Sequence, residues 1–361
     1  MIKSTEDMLN ILKKGIFFIA EIGKNFIQTS DEKTINEYLE NAKKLIKAAK
    51  ESGADAVKFQ THNLDDEFLK INVISPHFSS VDRYNWIKRN QQATPLEFWR
   101  ELKDYSEQLD ILFFSTPMSR GAAEILSKID VPVWKIGSGD ILDFVMLDYV
   151  AQTGKPVIIS TGMSSLEEID KAVNFLRERT DKIIIMHCVS KYPCPPEELN
   201  LKTIRFLEQR YNLPVGFSSH SINDKDAVAA AIDLGAKVIE KHFSLSRDLW
   251  GPDHKVSLTP DEFKSMVNMA YSGKKSNFTD LGSEYKILNN DEMVFRPIFR
   301  KSLVAGKNIK AGETISKEKI YSMRPHGYIN GLPSEEYENV IGKKALKNLN
   351  KYDPITISII E

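Results

Sequence analysis

Short apolar, β-branched runs recur along this chain, and each is followed by a stretch with apolar residues at helical spacing. The runs are FFIAEIG (17–23), AVKFQT (56–61), ILFFSTP (111–117), VWKIGSG (133–139), PVIISTG (156–162), IIIMHCV (183–189), PVGFSSH (214–220) and VIEKHFS (238–244). Between them lie amphipathic segments such as EYLENAKKLIKAAKES and SLEEIDKAVNFLRER. Eight β–α units in about 260 residues match the count and length of a (β/α)8 TIM barrel, an α/β fold. A doubly wound open sheet would need a Gly-rich dinucleotide loop after its first strand, and EIGKNFIQ is not one. The connection at 62–94 is too long for a plain link; with Tyr84, Trp86 and several charges it reads as a lid.

The pattern changes after about residue 274, which gives a catalytic barrel over 1–275, a linker over 276–297 and a small β-rich domain over 298–361. In the tail, KNIKAGETISKEKI (307–320) resembles KNLNKYDPITISII (347–360), 40 residues later. Two copies of a strand–turn–strand unit suit a compact β domain of roughly 60 residues, near the lower limit for independent stability.

Lys+Arg and Asp+Glu nearly cancel, 49 against 50, so no basic face for nucleic acid is implied and any anion must be held by a few local cations. Two cysteines, Cys188 and Cys194, make no disulfide framework and suit a reducing compartment. The first 15 residues lack the apolar core of a signal peptide, and no apolar run reaches the ~20 residues that span a bilayer. The expectation is a cytoplasmic protein with no membrane partner.

Barrel enzymes carry their sites at the C-terminal ends of the strands, and side chains alternate along each strand. Parity then groups Glu21, Lys58, Gln60, Ser160, Ser218, His220, Glu240 and His242 on the inward face, with apolar residues facing the helices. His220 and His242 end adjacent strands, where two imidazoles could share a metal with Glu21 and Asp253 nearby, or could simply hydrogen-bond. Lys58 and Lys135 need anionic partners. Glu21, Asp140 or Glu240 could supply them; the alternative is an anionic ligand. The turns GSG (137–139), STG (160–162) and SS (218–219) favour the ligand, because hydroxyls and unblocked N–H groups hold phosphate.

IAEIG, GADAVKFQTH, FFSTP, KIGSGD, KPVIISTGM, HCVSKYPCPPEELNL, VGFSSH, GAKVIEKHF and GPDHKVSL resemble the sialic acid (N-acetylneuraminate) synthase family. The tail SLVAGKNIKAGE, MRP and VIGKKAL is similar to that family's C-terminal antifreeze-like (SAF) domain. The resemblance implies condensation of phosphoenolpyruvate with an open-chain N-acetylated amino sugar, releasing phosphate. It implies that His220 and His242 bind a divalent metal, manganese before magnesium or cobalt, with Glu21 touching its water and handling a proton. Lys58, Lys135, Ser138, Ser160 and Ser218 are implied to hold phosphoenolpyruvate, and Gln60, Asp140, Tyr192 and Asp253 the sugar. Arg324 matches an arginine inserted by the partner's SAF domain in a homodimer with exchanged domains.

Three departures bear on substrate. The usual NHNG is here Asn25-Phe26-Ile27-Gln28, Asp140 stands where many bacterial members carry Glu, and RPHGYING replaces the commoner RPG pattern. Unphosphorylated N-acetylmannosamine is the expected acceptor. The alternatives are the legionaminate or pseudaminate precursors, or N-acetylmannosamine 6-phosphate, as used by the animal enzymes that share GSGD. A pyruvate-dependent metal aldolase would not need two lysines and three Ser/Gly turns. A non-catalytic SAF scaffold would not need a charged barrel mouth.

Overall fold

The computed structural model describes residues 4–76, 78–222, 224–273 and 275–361. Eight parallel strands form the sheet: β1 (Phe17–Gly23), β2 (Ala56–Thr61), β3 (Leu112–Pro117), β4 (Trp134–Ile136), β5 (Val157–Ser160), β6 (Ile183–Cys188), β7 (Val215–Ser219) and β8 (Val238–His242). Their hydrogen-bonded order is β3-β2-β1-β8-β7-β6-β5-β4, and β3 lies beside β4 across the remaining seam, closing the TIM-like barrel. Each of the eight runs read from the sequence supplies one strand. The fourth is shorter than its run: β4 stops at Ile136, and Ser138–Asp140 turns as a 3-10 helix. Gly139 lies close under Phe299 in that turn, where a Cβ would stand 3.1 Å from the Phe299 Cβ.

Burial explains the helices. Residues Ile35–Glu51 place Tyr38, Leu39, Ala42, Leu45, Ile46 and Ala49 on the barrel side, and Thr34 with Glu37 forms a capping box at the start. The 62–94 connection holds two helices, Leu64–Glu67 and Arg83–Ala93. Asp82 caps the second by accepting from Asn85 N at 3.0 Å. Trp86 anchors it among Phe78 and Trp250, with ring centroids at 5.3 and 5.6 Å.

The tail is a small domain built around an antiparallel pair, β9 (Ser302–Ala305) and β10 (Ile320–Met323). Its internal repeat has a direct structural meaning. Ile309 and Leu349, equivalent positions in the two copies, pair through reciprocal 2.8 Å hydrogen bonds. The 3-10 turns Lys317–Lys319 and Ile357–Ile359 are likewise equivalent. Each copy thus supplies the strand partner that the other lacks.

The segment expected as a linker is docked along its length. Glu292 is fully buried and accepts from Met163 N and Ser190 N, both at 2.8 Å. Arg296 pairs with Glu168 at 2.6 Å. This strap delivers the small domain to the mouth of its own barrel. Lys301 donates to Met118 O at 2.6 Å, and Arg120 donates to Lys317 O at 2.8 Å. No helix among the described residues is long and apolar enough to cross a membrane.

Candidate active site

Every site residue singled out in the sequence lines one cleft at the C-terminal end of the barrel. Strand register brings them there. Glu21 pairs across β1 with Lys58 on β2 and with His242 on β8, so three polar side chains end at one level. Lys58 Nζ lies 2.6 Å from Glu21 Oε2 and 3.6 Å from Glu240 Oε1, and donates to Thr116 Oγ1 at 3.1 Å. Burial opposes its charge, but the two carboxylates outweigh burial and hold its pKa above the ordinary lysine value. Lys135 has only a 3.6 Å contact to Glu240 and a 2.7 Å hydrogen bond to Ser160 Oγ, so burial dominates and its pKa falls. Glu240 is held below the usual carboxylate range, because Lys135 and Lys58 overcome its own burial. The carboxylates therefore do partner the lysines. Both contacts to Glu240, at 3.6 Å, are longer than a hydrogen bond.

The small turns lie in the same cleft. Ser138 Oγ accepts from Gly162 N at 3.1 Å, and Ser218 Oγ donates to Glu240 Oε1 at 3.3 Å. Gly162 admits nothing larger: a Cβ there would meet Ser190 Oγ at 2.2 Å and Ser138 Oγ at 2.7 Å. Cys188, beside the cleft, has its thiol pushed up to about 11 by burial and is an inert wall.

The two histidines face each other with ring centroids 5.4 Å apart. His220 Nδ1 lies 3.0 Å from Val189 O, an atom that only accepts, so Nδ1 carries the proton and Nε2 keeps a lone pair. Burial, then His242, depresses His220 to about 3, so its ring is neutral. His242 Nδ1 is buried without a hydrogen-bond partner. Two facing imidazoles, that of His220 neutral and that of His242 with an orphaned nitrogen, fit a divalent ion that draws its remaining ligands from water or substrate. Among the described residues no set of three or more His, Cys, Asp or Glu is arranged to hold an ion without such help.

Around the histidines lie Tyr192, whose ring is 4.1 Å from His220, and a polar group on Gly23. Gly23 has φ +55°, and a Cβ on it would stand 3.1 Å from Glu21 Oε1, 3.2 Å from Gln60 Nε2 and 3.6 Å from Asp253 Oδ2. Glycine here lets three hydrogen-bonding groups converge. Gln60 Nε2 donates to Glu21 Oε1 at 2.8 Å.

Two implied positions are filled from within the single chain. Arg324 was implied to come from a partner subunit; here the chain's own Arg324 enters its own barrel, because the docked strap brings its domain there. Its guanidinium pairs with Asp140, and its backbone joins the lid through Leu69 N to Arg324 O at 2.9 Å and Arg324 N to Glu67 O at 2.8 Å. Asp140, implied as a sugar contact, is occupied by Arg324 and by Lys301 at 2.9 Å, and so locks the cap down.

Sequence reasoning missed Lys24, Arg83, Phe295 and Phe299, which also line the cleft. Lys24 follows a register irregularity between Glu21 and Gly23, where alternation no longer tells which way a residue points. Arg83 opens the lid helix, and the two phenylalanines belong to the strap. The altered loop proves structural. Phe26 is fully buried against Phe98, at 5.3 Å between centroids, and Asn25 Nδ2 donates to Phe243 O at 2.9 Å.

A closed barrel with paired lysines, facing histidines and a small β cap defines the class, and comparison with known proteins agrees with it. Residues 45–277 match the NeuB family and residues 300–361 the SAF domain. The chain belongs to the NeuB family and carries a SAF domain at its C-terminal end. It is 35% identical to the N,N'-diacetyllegionaminic acid synthase of Campylobacter jejuni, over 93% of this chain and 97% of that one. It is 32% identical to the N-acetylneuraminate-9-phosphate synthase of Mus musculus, over 97% and 94%. The crystal structure of the Bacillus subtilis spore coat polysaccharide biosynthesis protein SpsE superposes with a TM-score of 0.76 at 31% identity, covering 96% of this chain and 95% of that one.

Proposed function

We propose that this enzyme condenses phosphoenolpyruvate with the open-chain form of an N-acetylmannosamine-type sugar, giving a nine-carbon acidic sugar and inorganic phosphate. The observation that carries this reading is the buried pair Lys58 and Lys135 facing three Ser/Gly turns and two facing histidines in one cleft. The named relatives are synthases of such sugars.

The lysines and the hydroxyls of Ser138, Ser160 and Ser218 hold the phosphate and carboxylate of phosphoenolpyruvate. Its methylene carbon forms the new bond to the aldehyde carbon, water adds to the former enol carbon, and the C–O bond to phosphate breaks. A divalent ion held by His220 and His242 supplies Lewis acidity when bound. Gln60 and Asp253 orient the sugar. Glu21, within hydrogen-bond reach of Gln60 and Lys58, accepts the proton that the attacking water loses. The cap and strap exclude bulk water, which strengthens every charge contact inside.

The test is an acceptor panel with phosphoenolpyruvate, read by phosphate release and product mass. One phosphate per nine-carbon product is expected, and the signal is lost in chelator. Consumption of free pyruvate, or no phosphate release with any hexosamine, overturns the reading.

A further inference from the structure

Met163, which follows the STG turn after β5, has φ +44°. A residue with a side chain rarely adopts that left-handed conformation, and it persists only where the surroundings hold it there. Here the strap holds it from both sides. Met163 N donates to Glu292 Oε1 at 2.8 Å. Met163 O accepts from Arg296 Nη1 at 2.9 Å and from Arg300 Nη2 at 2.8 Å. Both backbone polar groups of one buried residue are thus taken by side chains from a distant segment of the chain.

Met163 is next to the residue that joins the two Ser/Gly turns. Gly162 N donates to Ser138 Oγ at 3.1 Å, and Ser160 Oγ accepts from Lys135 at 2.7 Å. Arg300 reaches both turns. Its Nη1 donates to Ser138 O at 3.1 Å, while its Nη2 also donates to Ser164 Oγ at 2.8 Å. One planar guanidinium therefore spans the turns and fixes their separation. Anchorage alone would not require this: Glu168 already takes both terminal nitrogens of Arg296, at 2.6 and 2.7 Å. None of the three strap side chains lines the cleft, so they act on it only through the turns. Lys301, next in the chain, pairs with Asp140 at 2.9 Å, and Asp140 holds Arg324 of the cap. Turns, strap and cap thus form one run of contacts.

We propose that Glu292, Arg296 and Arg300 are positioning residues for the anion subsite, so that the turns carrying Ser138 and Ser160 take their binding arrangement only while the strap is docked. This rests on the synthase reading for the identity of the anion, phosphoenolpyruvate. It goes beyond that reading in making the subsite depend on side chains outside the cleft. Linkage works in both directions: whatever the docked strap adds to anion affinity, a bound anion adds to docking of the strap.

The experiment titrates phosphoenolpyruvate and inorganic phosphate by calorimetry, and measures KM for each substrate, in the wild type, Arg300→Met and Arg300→Lys. Arg300→Met should weaken both anions by about tenfold or more, the loss of one charge-assisted hydrogen bond, while KM for the sugar stays as in the wild type. Arg300→Lys keeps the charge without the fork and should fall between the two. Hydrogen exchange on the wild type supplies a second reading. Saturating phosphoenolpyruvate should slow strap amides over residues 289–300 by a similar factor, about tenfold. Local openings of the helix Thr5–Lys14, packed where Thr5 donates to Pro132 O ahead of β4, should not change. Wild-type anion affinity in Arg300→Met, or equal rises in KM for both substrates, overturns the proposal and leaves the synthase reading standing. Should Arg300→Met fail to fold, exchange decides, and strap amides indifferent to phosphoenolpyruvate overturn the proposal. Weakened anion binding in Arg300→Met, with no hexosamine turned over by the wild type, sustains the positioning role and overturns the synthase reading. A wild type that binds neither anion overturns both.

Discussion

At Lys135 the chain buries an ammonium group whose partners are a hydroxyl 2.7 Å away and a carboxylate at 3.6 Å. An anion placed between Lys135 and Lys58 gains a charge-assisted contact from each. Lys135→Ala should therefore weaken phosphoenolpyruvate binding by about 1.5–3 kcal/mol, roughly ten- to hundredfold or more. Calorimetry on folded protein checks this, and an unchanged dissociation constant would make Lys135 a scaffold residue. Lys24 gives a pH signature. Its pKa is lowered to about 8, so its charge is present below that value and lost as pH rises through it. The same depressed value means that the unfolded chain holds this proton when the folded chain does not, so Lys24 contributes a rise in stability with pH above 8. His220, lowered to about 3 by burial and then by His242, contributes a rise in stability between about pH 3 and the ordinary imidazole value of 6.5.

Among the elements, the turn after β5 and the strap make separable predictions. Gly162 touches Ser190 and Ser138 so closely that a methyl group must push one of them aside. Gly162→Ala should cost about 1–3 kcal/mol of stability, as overpacking does, and should raise KM for phosphoenolpyruvate by displacing Ser138. Denaturant unfolding and steady-state kinetics on the same preparation test both halves. Glu292 ties the strap to two loop N–H groups, and Lys286 stands 4.0 Å from it, also buried. Glu292→Ala would leave two buried donors unsatisfied, at about 1–3 kcal/mol each. The urea midpoint should drop clearly. A midpoint equal to wild type would show that the strap is not part of the cooperative fold.

For the whole molecule the question is whose cap closes whose barrel. In the structure one chain closes on itself, through Arg324 on Asp140 and Lys301 between Asp140 and Asp143. Arg324→Ala and His242→Ala should each be inactive, and mixing the two under conditions of subunit exchange should restore nothing. Exchange of caps between identical chains would reuse these same contacts in trans. Recovery of up to about half the activity per mixed dimer would then be seen, and would establish the exchanged form.

Much of this was written in the sequence, for a physical reason. Strand alternation has a period of two, so once β2 and β8 were located, Lys58, Gln60, Glu240 and His242 had to share the inner face with Glu21 on β1. The eight β–α units fixed the barrel, and the 40-residue repeat announced the paired halves of the small domain. Where periodicity ends, so does that legibility. Lys24 lies beyond a register irregularity, Arg83 opens a lid helix, and Phe295 and Phe299 ride on a strap that composition alone marks as a linker. Their positions follow from packing between segments far apart in the chain, such as Trp86 on Trp250 and Glu292 on the loops after β5 and β6. Most of the residues proposed to meet phosphoenolpyruvate could thus be counted off along strands. Those that the first loop, lid and strap add to the cleft could be found only after these segments had closed over the barrel.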